Sequence, residues 1–159
     1  MKKLLFVGNS FTYYHDLPAM LEKLSCAAGY SIQTAAVTKG GWYLERYADP
    51  DNEMYPLLHE THEQRAWDMI VLQDQSFSPA GHPERYLAAV RTLCSQLPCR
   101  ERFVIYQTWA YEDGTEKLHG TGMTYQQMHE TLRDTCRQAA KQRYKVFCMF
   151  LIIKCKDET

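Results

Sequence analysis

The stretch Leu4-Leu5-Phe6-Val7-Gly8-Asn9-Ser10-Phe11 decides how this chain is read. Residues 3–7 form a short apolar run that stops at a glycine, the pattern of a strand buried on both faces of a parallel sheet. The period then changes. Asp16 can cap a helix through its side-chain oxygen, Pro18 is tolerated in the first turn, and Leu17, Met20, Leu21 and Leu24 recur at helical spacing until Gly29 stops the run. A strand, a polar turn and a helix in that order are the opening of a βαβ unit, and they leave Ser10 on the turn.

The rest of the chain repeats the alternation. A strand is predicted near Ser31 to Val37, followed by the loop Lys39-Gly40-Gly41-Trp42 and a helix-like stretch. The compact run Trp67-Asp68-Met69-Ile70-Val71-Leu72 is the clearest third strand; the polar loop Gln73-Asp74-Gln75-Ser76 and the breakers Pro79, Gly81 and Pro83 follow it. A helix from about Glu84 to Leu97 ends at Pro98. Phe103 to Tyr106 makes a fourth strand and a Gly-containing loop runs from Trp109 to Gly122. Tyr125 to Arg143 is a long helix with Met128, Leu132, Cys136 and Ala139 on one face, and Val146 to Ile153 suits a fifth strand. Strands alternating with helices imply right-handed crossovers and an α/β three-layer sandwich, with a five-stranded parallel sheet in the flavodoxin-like order 2-1-3-4-5. Ligands of such sheets sit outside the carboxyl ends of the strands, near the point where the order reverses. The loops Gly8 to Tyr14, Lys39 to Trp42 and Gln73 to Ser78 converge there.

Composition narrows the function classes. At 159 residues, 45% of them apolar, the chain suits a single domain with a real core. A formal charge of −1 gives no footprint for nucleic acid, which calls for clustered Lys and Arg. The basic start reads as a strand rather than a signal peptide, because its apolar run stops at Gly8. No stretch approaches the ~20 apolar residues of a membrane span. A soluble, cytoplasmic protein is expected. The cysteines Cys26, Cys94, Cys99, Cys136, Cys148 and Cys155 show no paired spacing and are expected to be mostly buried free thiols; no histidine pattern suits a metal, and no cofactor is implied. His59 and His62, three apart, read as a solvated polar face.

Three features could carry chemistry. A serine just past a buried strand and just before a helix is exposed at the functional edge, with backbone N–H groups nearby for an oxyanion. Asn9, Ser10 and Thr12 are equally the residues of an ordinary turn and cap, and this loop alone favours that reading. Gly40 and Gly41 permit a close backbone approach or a positive φ, as in any turn. Gln73 and Gln75 could aim a carboxamide at Ser10, or could be solvated loop residues. A nucleophile, a glycine amide and a carboxamide at one edge together favour catalysis.

Phe6-Val7-Gly8-Asn9-Ser10-Phe11 resembles the first block of the SGNH (GDSL-type) hydrolases, usually Gly-Asp-Ser with Gly-Asn-Ser variants. The resemblance implies that Ser10 is the nucleophile, that Gly41 or its neighbour Gly40 supplies an oxyanion N–H, and that Gln75 stands where the third block, Gly-x-Asn-Asp, has its asparagine. Val71 to Ser76 and Gln107 to Ala110 are similar to a branch with Val-Leu-Gln-x-x-Ser and Gln-Thr-Trp-Ala segments. The resemblance covers roughly residues 3 to 144.

The family's last block, Asp-x-x-His, which holds the general base, occurs nowhere in the sequence. After Tyr144 the chain departs from the pattern, and a truncation or altered reading frame from about residue 145, with the final helix missing, is the expectation. His15, His82 and His119 are alternative bases, with Asp16, Asp74 or Asp113 to orient one, but they also read as exposed loop histidines. Taken together, the sequence and the resemblance predict a serine esterase or deacetylase scaffold for small acyl esters, carbohydrate acetyl esters among them, weak or inactive for lack of its base. The alternative is a non-catalytic module binding carbohydrate or another small ligand, with Trp42, Tyr43, Trp109 and Tyr111 as stacking surfaces. Self-association through the C-terminal region is also expected, since strands that lose their cover expose apolar residues.

Overall fold

The computed structural model describes residues 1–141 in full and the backbone of 146–150. In chain order the elements are β1 (Lys2–Gly8), α1 (Ser10–Tyr13), a 3₁₀ turn (Tyr14–Asp16), α2 (Leu17–Ala27), β2 (Ile32–Thr38), α3 (Leu44–Ala48), α4 (Met54–Glu63) and β3 (Met69–Leu72). Then come α5 (Phe77–Gly81), α6 (Pro83–Gln96), β4 (Arg102–Gln107), α7 (Glu116–His119), α8 (Tyr125–Lys141) and β5 (Val146–Phe150).

The expected parallel α/β sheet is present. β1 pairs with β2 on one side and β3 on the other, β4 follows β3, and the backbone of β5 pairs parallel beyond β4. Because side chains alternate along a strand, the apolar runs divide between two faces. Leu5, Val7, Ile70, Leu72, Phe103 and Ile105 face a large core completed by Leu44 and Tyr47 of α3, Leu58 of α4, Leu87, Val90 and Leu93 of α6 and Met128, Leu132 and Cys136 of α8. Leu4, Phe6, Val71, Val104 and Tyr106 face a smaller core, where Leu17 and Leu21 of α2 pack.

Several local expectations need correction. Asp16 precedes α2, but its side chain makes no capping bond; His15 and Asp16 both adopt left-handed backbone, φ 57° and 52°, and this double turn starts the helix. Of the α2 residues that recur at helical spacing, Met20 and Leu24 are exposed. The breakers Pro79 and Gly81 lie inside the short helix α5. Proline is harmless in a first turn, and a Cβ at position 81 would meet the Phe77 ring at 2.3 Å, so the glycine is a packing requirement. Cys26 is exposed, whereas Cys94 and Cys136 are buried, and all the described cysteines are free. The expectations of an altered tail, a missing final helix and C-terminal self-association fall on residues outside the described ones.

Candidate active site

The first loop is built on a close approach. A Cβ at Gly8 would lie 2.6 Å from both Gln73 Oε1 and Thr12 Oγ1, so the end of β1 admits only glycine there. The Gly8 carbonyl accepts from the Tyr47 hydroxyl at 2.7 Å and from the Lys39 N–H at 3.2 Å, which brings the second loop alongside. Asn9, 1% exposed, caps α1: its Oδ1 accepts from the Phe11 N–H at 3.2 Å.

Gln73 locks this arrangement from β3. Its side chain is completely buried, and the Asn9 N–H can only donate, so Oε1 must face it, at 2.9 Å. The same oxygen accepts from Thr12 Oγ1 at 2.8 Å, while Nε2 donates to Asn9 Oδ1 at 2.9 Å and to the Asp74 carbonyl at 2.6 Å. Both amide protons of Gln73 are therefore committed. The residue is a strut for the serine loop and has none left for an oxyanion, contrary to one sequence expectation.

Ser10 sits half-buried as the first residue of α1. Its N–H belongs to the unpaired donors of a helix's first turn, and among the described residues its hydroxyl has no hydrogen-bond partner. Asn9 Nδ2 donates to the Trp42 carbonyl at 2.9 Å, joining this loop to the second. There Gly41 holds φ +69°, and no acceptor among the described residues takes its N–H; Gly40 lies against Tyr13, with space for a Cβ only 2.9 Å from the hydroxyl. The N–H groups of Ser10 and Gly41, on two loops joined by the Asn9–Trp42 bond, thus have no acceptor among the described residues.

Gln75 is half-buried and oriented from the loop after β4. Its Nε2 donates to the Tyr111 hydroxyl at 2.5 Å and its Oε1 accepts from the Phe77 N–H at 2.7 Å, which leaves one amide proton uncommitted. Asp74 is 5% exposed, and burial pushes its carboxyl up to about 6, against the opposing pull of hydrogen bonds from the Gln75 N–H, Ser78 and the Leu44 N–H.

The candidate histidines do not join them. His15 is on the strained turn beside Tyr14, with ring centroids 6.2 Å apart, His82 sits edge-on to Phe77 at 5.7 Å, and His119 ends α7. All three are exposed, and no described hydrogen bond links any of them to Ser10 or to Asp16, Asp74 or Asp113. His59 and His62 are not a simple solvated face: His59 packs on Tyr55 at 4.0 Å and burial lowers its pKa, while the His62 ring meets the Pro98 carbonyl at 2.9 Å. Among the described residues no group of side chains could hold a metal ion, and no helix is long and apolar enough to cross a membrane.

No protein-family model matches the chain, and no curated protein matches it in sequence. Solved structures do. A protein of Slackia heliotrinireducens assigned to the SGNH hydrolases is 29% identical, with a TM-score of 0.76 over 87% of this chain and 73% of its own. The chain belongs to the SGNH hydrolase superfamily. A DUF4886 family protein from Bacteroides uniformis is 20% identical at a TM-score of 0.69, and this chain spans 62% of its length. A carbohydrate acetylesterase family member from Sinorhizobium meliloti shares the fold at 14% identity and a TM-score of 0.65, covering 94% of this chain and 83% of that one.

Within this SGNH scaffold, aromatic residues divide the surface near the serine. Phe11 and Trp109 meet edge to face, centroids 5.0 Å apart. On one side lies a cavity of about 320 Å³ lined mainly by apolar side chains, among them Tyr14, Leu17, Met20 and Tyr106. On the other, a trough passes Tyr111, Glu116 and Lys117 toward Gln75 and Tyr43. Trp42 is no free stacking surface, because the Lys39 ammonium and the Arg46 guanidinium lie over its ring at 4.1 and 4.5 Å. Trp109 is 49% exposed and is available. Sequence reasoning missed Gln73 as a strut, Thr12 as its partner, Tyr47 as the donor to the Gly8 carbonyl, and Tyr111 as the partner of Gln75. The one signal pointing to the strut was the glycine at position 8, which implies that something comes close.

Proposed function

We propose that this chain is a serine esterase or deacetylase scaffold for small acyl esters, with Ser10 as the nucleophile. The Ser10 and Gly41 N–H groups and the second Nε2 proton of Gln75 form the oxyanion site in this reading. The observation that carries it is the Asn9–Gln73 pair, whose reciprocal bonds fix the serine loop from a strand 64 residues away while leaving the Ser10 N–H and hydroxyl uncommitted. A buried polar network that is fully satisfied rigidifies what it joins, here the loop that presents Ser10. Attack of Ser10 Oγ on the ester carbonyl would form an acyl-enzyme and release the alcohol, and water would then release the acid.

A nucleophilic serine needs a base, and no described side chain offers one. Turnover is therefore expected to be slow, resting on oxyanion stabilisation and binding. The trough with Trp109, Tyr43 and Tyr111 suits the rings of a carbohydrate alcohol. It also supports a second reading, a non-catalytic carbohydrate-binding module, favoured by the same unpartnered Ser10 hydroxyl. Hydrolysis of p-nitrophenyl acetate and labelling by a fluorophosphonate separate the two. The esterase reading expects both to occur and both to vanish in Ser10→Ala. Hydrolysis unchanged by that substitution rejects Ser10, and glycan binding with no serine labelling favours the module.

A further inference from the structure

The loops at this edge are joined pairwise by side chains. Gln73 ties the first loop to β3, and Asn9 Nδ2 ties the first loop to the second through the Trp42 carbonyl. The third side of this triangle is Asp74. Its Oδ1 accepts from the Leu44 N–H, at the end of the second loop, at 3.2 Å and from the Gln75 N–H at 2.7 Å, and its Oδ2 accepts from Ser78 Oγ at 2.9 Å. We infer that Asp74 is a positioning residue, which sets the Gly41 N–H and the Gln75 carboxamide in register with each other by holding both of their loops on one oxygen. This rests on the reading of Gly41 and Gln75 as oxyanion donors, but the clamp itself is a property of the fold.

The clamp needs an acceptor, not a charge. When the carboxyl gains a proton on Oδ2, Oδ1 still accepts from both amides, and the new O–H can donate to Ser78 Oγ in place of the bond it accepted. The groups that line the same cavity as Asp74 are Tyr43, Glu45 and Arg46 from α3 and the residue before it, Ser78 of α5, and His82, Arg85 and Tyr86 at and just before the start of α6; Glu45 opposes ionisation of Asp74. Arg85 is already paired with Glu45 at 2.6 Å, so neither is bonded to the Asp74 carboxyl. Asparagine preserves the acceptor geometry and alanine abolishes it.

Asp74→Ala and Asp74→Asn, prepared beside the parent chain and Ser10→Ala, test this. In Asp74→Ala, hydrogen exchange at the Leu44 and Gln75 amides should accelerate by about tenfold or more, while core amides of β1 hold their rates. Ser10-dependent hydrolysis of p-nitrophenyl acetate should fall by about tenfold or more, mainly in kcat, and Asp74→Asn should recover most of both losses. Unchanged exchange at the two amides, or equal acceleration throughout the fold, overturns the proposal, as does an Asp74→Asn variant no better than alanine. Should the alanine variant not fold, the parent chain decides. The Leu44 and Gln75 amide proton resonances must then move with the Asp74 carboxyl carbon in a pH titration, and amides that do not follow it refute the clamp. Loss of all Ser10 dependence with these exchange and titration results intact would reject the esterase reading alone.

Discussion

Gly8 contributes no side chain, and the site depends on that space. Gly8→Ala pushes a methyl group against Gln73 Oε1 and Thr12 Oγ1, neither of which is a free chain end. The variant is expected to lose ~1–3 kcal/mol in urea unfolding and to lose fluorophosphonate labelling of Ser10. Gln73→Leu removes the strut while filling its volume. It strands the Asn9 N–H and the Thr12 hydroxyl in a dry site, for ~2–4 kcal/mol by the same measurement. Asp74 has the opposite sense. Its native carboxyl keeps a proton up to about pH 6, whereas the unfolded group releases it near 3.8, so its contribution to stability falls as pH rises between those values and stays low above them. The difference is worth ~3 kcal/mol. Asp74→Asn should therefore be stabilised relative to the parent at pH 7, and the gap should close as pH falls from 6 to 4. A gap that widens toward acid would contradict the buried, charge-disfavouring setting of this carboxyl.

Among the elements, strands were the most legible, and the reason is physical. β1, β3 and β4 are buried on both faces, so their sequences are nearly unbroken apolar runs that no amphipathic helix would show. α2 was legible in extent but not in orientation. Its apolar positions fit more than one face, and the left-handed pair His15–Asp16, which aims the helix, leaves no mark in residue pattern. Leu17 is buried and Leu24 is 62% exposed, so Leu17→Ala should cost ~2–4 kcal/mol and Leu24→Ala within ~0.5, read by thermal or urea unfolding. Ser10, Gly41 and Gln75 stand out in the sequence as candidates because they follow strand ends and match the blocks of the resemblance. The roles of Gln73 and Asp74 could not. Neighbours in sequence with similar polarity, they serve different loops, and only the spatial course of the chain decides which amide each one meets.

For the molecule as a whole, the sheet carries unequal cores. Helices α3, α4, α6 and α8 cover one face with most of the buried apolar residues, and α2 packs on the other. β2 stands at the edge, hydrogen-bonded to β1 alone, with mostly half-buried side chains, whereas β1 and β3 are central. Native-state hydrogen exchange should therefore be slowest in β1 and β3 and faster by orders of magnitude in β2, where opening does not require the whole sheet to unfold. The pairing of Asn9 with Gln73 spans 64 residues, and it bears on the order in which the molecule is made. During synthesis the serine loop leaves the ribosome early, yet its partner emerges only after three further helices and two strands. Until β3 docks beside β1, Ser10 belongs to an open, wandering segment. Any reactivity of this serine is thus born late, and its appearance during refolding would time the closure of the β1–β3 crossover.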